Sequence, residues 1–463
     1  MLLFFHINAI QSPRRNAVKP RMALQRSFST RWQTLPFFDD DTRLFQQGNH
    51  DKMRDDQRRT PRFYEAIRAR LQQAADDGSP PLTVLDLGTG PYALLALEAA
   101  RAGAGRVYAI EADAESAQRA REAVADAGFS EVVEIIEGIS VDVELPERVD
   151  LLVSETVGAV ASEEGLYATY ADAHSRLVKE PQDRKSWIPH TVQTMGAPCT
   201  YLLHHGLGHP AYEWLDYNPL AGPPRPESDD DTVAILADPQ ALETVRFFEP
   251  DDLLHMLDAE DGVSTRSHTL AGAPAEPVAF SIDGERLASN EVSFRTGLVA
   301  EGASSKDAEF FAQTASRSLS GIALWPRLEL DPSSKTIVEA RGGLGEPRAS
   351  SWPTLLPLLQ AQPLPVGADD CVGVAFHIEL SDDIQVPPAY TLEATVETKA
   401  SALEGSGRSP QETREVNNGS GDAGDDGPFG LMMRLALPLN RLRLGPRIRE
   451  MLAASLGAGQ PAS

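Results

Sequence analysis

Cysteine is nearly absent. Two thiols, Cys199 and Cys371, in 463 residues exclude a disulfide framework and a Cys-rich zinc site, and they make a reducing compartment the default. Basic residues are short as well: 42 Lys and Arg stand against 68 Asp and Glu, a net charge of −26, with an isoelectric point near 4.8. Nothing in that balance offsets repulsion from phosphates, so direct nucleic-acid binding is not expected and a cationic substrate is favoured. Long apolar runs are missing too. Met1 to Phe5 is stopped by His6 and Asn8, far short of the ~20 residues a membrane span needs, so no membrane partner is expected.

What is present divides the chain. Its length leaves room for two or three domains with their own cores. Residues 1–38 carry Arg14, Arg15, Lys19, Arg21, Arg26 and Arg31 and no acid. This is the composition of an organelle transit peptide, and Arg26-Ser27-Phe28-Ser29-Thr30 resembles a mitochondrial presequence cleavage region. A disordered tail or a misplaced start codon would share it. Residues 39–189 read as one α/β domain and 190–400 as a β-rich one with acidic insertions, of which Pro223 to Asp231 is one. Residues 401–428 are polar and acidic enough to be a disordered insertion, followed by a C-terminal segment, 429–463.

In the α/β domain, His50 to Arg59 and Thr60 to Ala75 read as helical, with Phe63, Ala66, Ile67 and Leu71 on one face. Thr83 to Leu87, Arg106 to Glu111, Val132 to Ile136 and Val149 to Ser154 read as buried strands. Helices follow the first two, one to about Arg101 and one from Ala114 to Ala127. That alternation predicts βαβ units and a parallel sheet. After Pro189, short runs such as Ile322 to Trp325, Val372 to Leu380 and Tyr390 to Val396, between Pro- and Gly-rich connections, predict an all-β half.

Gly88-Thr89-Gly90-Pro91-Tyr92-Ala93 fits the glycine pattern that lets a backbone approach a nucleotide-bearing ligand. A dinucleotide fold is allowed by that alone. S-adenosylmethionine is favoured because the strand ends in an acid, Asp86, and about 80 residues precede it. Glu111, ending the next strand, is suited to accept both hydroxyls of a ribose.

From here the chain resembles a known family, the protein arginine methyltransferases, over roughly residues 50–190. His50-x-x-Met53-x-x-Asp56-x-x-Arg59-Thr60 looks like the family's amino-terminal helix, and Val84 to Gly90 and Gly103 to Glu111 continue the match. The resemblance implies a Rossmann-like class I methyltransferase domain followed by a β-barrel with a dimerisation arm. It also implies that Arg59 grips the cofactor carboxylate beside His50 and Met53, a bidentate pairing that suits a guanidinium. Asp86, Gly88, Gly90 and Glu111 would complete that pocket, with Ser140 and Val141 bordering the adenine.

Ser154-Glu155-Thr156-Val157-Gly158, with Glu164 nine residues after Glu155, resembles the family's double-glutamate loop. Two carboxylates there would hold a substrate guanidinium and leave one nitrogen free to attack a sulfonium methyl. The resemblance therefore implies arginine in proteins as substrate, S-adenosylmethionine as cofactor, a cytoplasmic or nuclear location and homodimerisation.

Some positions depart from the family. Tyr92 stands where the third loop glycine belongs, Phe37 and Asp41 stand for a tyrosine pair, and Ser350-Ser351-Trp352 replaces Thr-His-Trp, with Ser351 and Trp352 expected at the substrate. Ser-Trp is similar to the symmetric-dimethylating branch. Gly128-Phe129-Ser130, Glu164-Gly165, Ala173-His174 and Pro189-His190 look like the monomethylating branch, so product class stays open with monomethylation ahead. The departures keep two alternatives open, a catalytically impaired scaffold and a methyltransferase for a small molecule or RNA. His204-His205 with His209 lacks acids or thiols at ligand spacing, so no metal is expected. Met432-Met433 reads as core packing.

Overall fold

The computed structural model describes residues 24–33, 47–202, 204–207, 223–225, 231–249, 276–300, 302–341, 350–360, 362–380 and 388–398. Phe37, Asp41, His209, the 401–428 stretch and Met432-Met433 lie outside the described residues.

The chain enters through β1 (Leu24–Gln33), which belongs to the second half. Two helices then lead into the α/β domain, α1 (Gln47–Asp55) and α2 (Thr60–Asp76). Pro61 suits the first turn of α2, and Phe63, Ala66, Ile67, Leu71 and Ala74 are buried along it, the helical spacing that the sequence shows. The chain continues through β2 (Thr83–Leu87), α3 (Leu94–Arg101), β3 (Arg106–Glu111), α4 (Ala114–Asp126), β4 (Val133–Glu137), β5 (Leu151–Ser154), α5 (Leu166–Asp172) and β6 (Trp187–Ile188). Asp113 caps α4 by accepting from the Ser116 amide at 2.7 Å. The strands form one parallel sheet in the order β4-β3-β2-β5-β6. Its central strand β2 is buried at every residue, because helices cover both faces of such a sheet. The order reverses at β2, so the crevice for a ligand opens at the carboxyl ends of β2, β3 and β5.

The second half is antiparallel. One sheet joins β7 (Thr191–Tyr201), β8 (Val233–Ile235), β9 (Gln240–Arg246), β12 (Gly321–Glu329) and β13 (Ile337–Glu339), with β7 between β12 and both β8 and β9. The other runs β1-β16-β15-β10, with β10 (Val278–Ser281), β15 (Cys371–Glu379) and β16 (Ala389–Thr398). A ribbon of β11 (Ser318–Leu319) and β14 (Leu364–Pro365) completes it. The expectation of an all-β half needs correcting. A short α6 (His204–Leu207) follows β7, and α7 (Gly284–Ala300) and α8 (Ser305–Ser316) form a helical pair between β10 and β11. Ser304 caps α8, and Ala308, Phe311, Ala312 and Ala315 at helical spacing bury its face.

The basic leader overlaps the folded part of the chain. Residues 24–33 are part of the fold: β1 pairs with all of β16. Its basic residues mask a period of two in which Thr30 and Trp32 are buried and Phe28 is half-buried. Trp32 stacks on Tyr390 at 5.4 Å between ring centres, and Arg31 reaches Glu379 at 2.6 Å.

Candidate active site

The glycine loop leaves β2 with Gly88 at φ +75° and Gly90 at φ +66°, a left-handed backbone that only glycine adopts cheaply. A Cβ on Gly90 would stand 3.6 Å from His50 Nδ1, which places α1 directly over the loop. Glu111 accepts the Gly90 amide at 2.8 Å and the Asp113 amide at 2.9 Å, and burial pushes its carboxyl up. Asp86 faces inward. It accepts from Thr89 Oγ1 at 2.6 Å and the Ala96 amide at 2.9 Å, so it ties the loop to α3. Burial pushes its carboxyl up to about 6. Tyr92 donates to Asp51 at 2.5 Å beneath the Arg54 guanidinium, so the departure from glycine here fastens the loop to α1.

Ser140 and Val141 begin a one-turn 3₁₀ helix, Ser140–Asp142, after β4. Arg176 donates to the carbonyls of Ser140 at 3.3 Å, Val141 at 3.2 Å and Val143 at 3.1 Å. Asp172 grips the same guanidinium twice, so the rim of the crevice is held by the segment after α5. Asp142 is exposed.

Arg59 and Glu155, which the resemblance assigns to different ligands, meet each other. They form an ion pair with both side chains buried, 7% and 4% exposed. Arg59 Nη1 also donates to Thr60 Oγ1 at 3.2 Å and Met53 O at 3.3 Å, while its Nε is buried with no partner. His50 Nε2 is likewise buried and unpartnered. Burial lowers the His50 pKa, which keeps the ring neutral.

Glu164, two residues before α5, is half-buried, feels the charges of this pair and makes no hydrogen bond or ion pair among the described residues. Burial pushes its carboxyl up to about 8, and repulsion from Glu155 and Glu163 adds to the shift. Glu163 next to it is paired with Arg225 at 2.6 Å. The loop closes on the second half. Trp352 Nε1 donates to Val157 O at 2.6 Å, and its ring lies 5.9 Å from the Arg59 guanidinium carbon. Ser351 gives its amide to Asp56 at 2.7 Å and leaves its Oγ buried and unpaired.

Asp56 is the residue to which the sequence reading gave no role. It also accepts the Arg58 and Arg59 amides at 2.9 and 3.0 Å. The available signal was its place three residues before Arg59, where an acid caps the turn between two helices. His204 and His205 bond to Gln360 O and Ser318 Oγ. No group of three or more metal-ligating side chains occurs among the described residues.

No protein-family model matches the chain. Curated relatives do. It is 38% identical over 111 residues to protein arginine N-methyltransferase PRMT10 of Arabidopsis thaliana, covering 23% of this chain and 28% of that protein. It is 33% identical over 150 residues to protein arginine N-methyltransferase 7 of Rattus norvegicus, covering 31% and 21%. The chain thus matches less than a third of the length of these relatives. Among solved structures it superposes on the Trypanosoma brucei PRMT1 enzyme-prozyme heterotetrameric complex with AdoHcy, with TM-score 0.50, 17% identity and coverage of 72% of this chain and 88% of that one. It superposes equally, TM-score 0.50 and 17% identity, on protein arginine methyltransferase 10 of Arabidopsis thaliana in an open conformation, covering 76% and 97%. The fold is therefore a Rossmann-like α/β domain followed by a β-barrel domain. Over the matched segments the chain is similar to protein arginine N-methyltransferases.

Proposed function

We propose that the protein methylates arginine guanidinium nitrogens in proteins, using S-adenosylmethionine. The observation that carries this is Glu164, a half-buried carboxyl that makes no hydrogen bond or ion pair among the described residues and lies close enough to Glu155 for the two to repel. Such an arrangement is costly unless a cation completes it. A guanidinium is that cation, since its fork can engage two carboxylates.

The crevice suits the cofactor. Gly88 and Gly90 open the backbone, Glu111 offers a carboxylate to a ribose, and the unpartnered Nε of Arg59 is a donor left for the methionine carboxylate while Nη2 stays on Glu155. His50 and Met53 close the pocket, with Ser140 and Val141 at the adenine. S-adenosylmethionine supplies an electrophilic methyl group. Glu155 and Glu164 hold the substrate guanidinium, localise its charge on the nitrogens they bind and leave the third to react. The methylated guanidinium keeps its positive charge and sheds one proton, for which Glu164 is the acceptor at hand. Ser351 and Trp352 shape the entrance. Like the heterotetrameric trypanosome neighbour, the chain would act as an assembly, here a homodimer, which sedimentation would show.

The test is methyl transfer to an Arg-rich peptide, followed by acid hydrolysis to identify the methylated amino acid. Monomethylarginine is the expected product. A folded protein that binds the methyl donor but yields no methylarginine would be a scaffold or would act on another acceptor.

A further inference from the structure

Glu164 makes no hydrogen bond of its own, yet a catalytic acid must be held to within a fraction of an ångström. Polar groups that the methyl-transfer reading leaves unused brace the chain on both sides of it. Glu243 on β9 is fully buried. Tyr167 Oη donates to its Oε1 at 3.0 Å, and Thr194 Oγ1 donates to its Oε2 at 2.5 Å. The same Thr194 oxygen accepts the Ala161 amide at 3.0 Å. Beside them the Ser162 hydroxyl meets Tyr390 Oη at 3.2 Å. Ala161 is three residues before Glu164, and Tyr167 is three after it.

We propose that Glu243 is a positioning residue for Glu164. From the barrel wall it fastens both flanks of the double-glutamate loop, one through Thr194 to the Ala161 amide, the other through Tyr167 to the first turn of α5. The inference rests on the reading of Glu164 as a guanidinium-binding acid.

The strand itself is built for this. Pairing between β7 and β9 slips at Thr194/Met195, so Leu242 and Glu243, which a regular strand would send to opposite faces, are both fully buried. An apolar residue would fill an interior position in a barrel wall at lower cost. Burial pushes the Glu243 carboxyl up, and its bonds from Thr194, Ser162 and Tyr167 draw it back.

The experiment uses the full chain and three variants, Glu243→Leu, Glu243→Gln and Thr194→Val. It measures amide hydrogen exchange across residues 157–166, turnover on an Arg-rich peptide and affinity for S-adenosylhomocysteine. In Glu243→Leu the amides of 159–166 should exchange at least roughly tenfold faster while β2 and β3 keep their protection. Turnover should fall roughly 10- to 100-fold, and S-adenosylhomocysteine affinity should stay within about twofold. Glu243→Gln keeps an acceptor for Tyr167 and should recover part of both losses. If Glu243→Leu does not fold, Thr194→Val, which keeps the shape and removes one tether, decides by the same readouts. Unchanged exchange and turnover in the folded variants would overturn the proposal, as would a loss of cofactor-product affinity as large as the loss of turnover. Exchange is read without substrate. A wild-type protein that methylates no arginine would therefore remove the role of Glu164, and the exchange pattern would still decide the tether.

Discussion

The two sides of the candidate site are built differently. The cofactor side is local: Gly90 to Glu111, Tyr92 to Asp51 and Asp86 to Thr89 and Ala96 are hydrogen bonds between residues at most 41 apart in the chain. The substrate loop is held from afar. Tyr167 reaches Glu243 across 76 residues, Val157 reaches Trp352 across 195 and Ser162 reaches Tyr390 across 228. One half of the site is thus specified by its own domain, while the other exists only once the barrel has closed around it.

The largest break in that comparison comes from its most distant support. Trp32 stacks on Tyr390, which in turn holds Ser162. Trp32→Ala should cost about 3–5 kcal/mol of stability, as removal of a buried aromatic does, measured by urea unfolding. Deleting residues 1–33 should do at least as much, because it removes β1 whole.

Glu155 and Glu164 should part company when each is changed to Gln. Both variants should lose about 2.7–4 kcal/mol of transition-state stabilisation, read as turnover, with cofactor affinity little changed. Stability separates them. Glu155→Gln strands the buried Arg59 charge and should destabilise by about 3–5 kcal/mol, whereas Glu164→Gln removes an unpartnered carboxyl and should not.

The raised pKa of Glu164 gives a pH signature with a definite sign. Its ordinary value is 4.5 and its folded value about 8, so between these the fold holds a proton that the unfolded chain has lost. Its contribution to stability is therefore full at low pH and disappears as pH rises toward 8. Glu164→Gln should flatten that slope in unfolding measured from pH 5 to 8. Peptide turnover should move oppositely, rising about tenfold per pH unit below about 8 because the ionised acid is the one that holds the guanidinium.

On the cofactor side, Arg59→Ala should weaken S-adenosylmethionine binding by about 1.5–3 kcal/mol, the worth of a hydrogen bond between charged groups. Calorimetry measures it. Because Arg59 also partners Glu155, this is the single substitution expected to damage both sides at once.

What could be read from the sequence follows the same division. The parallel sheet, the helix before it and the loop at Gly88 and Gly90 were legible because their residues sit close in the chain with periods of 3.6 or continuous apolar runs. The nine-residue spacing of Glu155 and Glu164 was visible as well. The Arg59–Glu155 pair was not, since the two lie 96 residues apart and each has a plausible ligand of its own. Strand β1 hid behind its arginines, and Glu243 broke the alternation of β9 through a bulge that only pairing with β7 reveals. The α7–α8 pair went unseen because β-branched and aromatic residues around it, among them Val292, Val299 and Phe310, which stay exposed, dilute its period.

The smallest effect should come from Tyr92→Phe, and its smallness is the point. The hydroxyl ties the glycine loop to Asp51 on α1, but the ring remains under Arg54 and the backbone turn is fixed by Gly88, Gly90 and the bond from Gly90 to Glu111. Losing one such hydrogen bond costs about 0.5–1.5 kcal/mol, so S-adenosylmethionine affinity should drop no more than about tenfold while the fold keeps its stability. If the drop were far larger, α1 would be closing the pocket chiefly through Tyr92, and the cofactor side would depend on a distant clasp much as the substrate loop does.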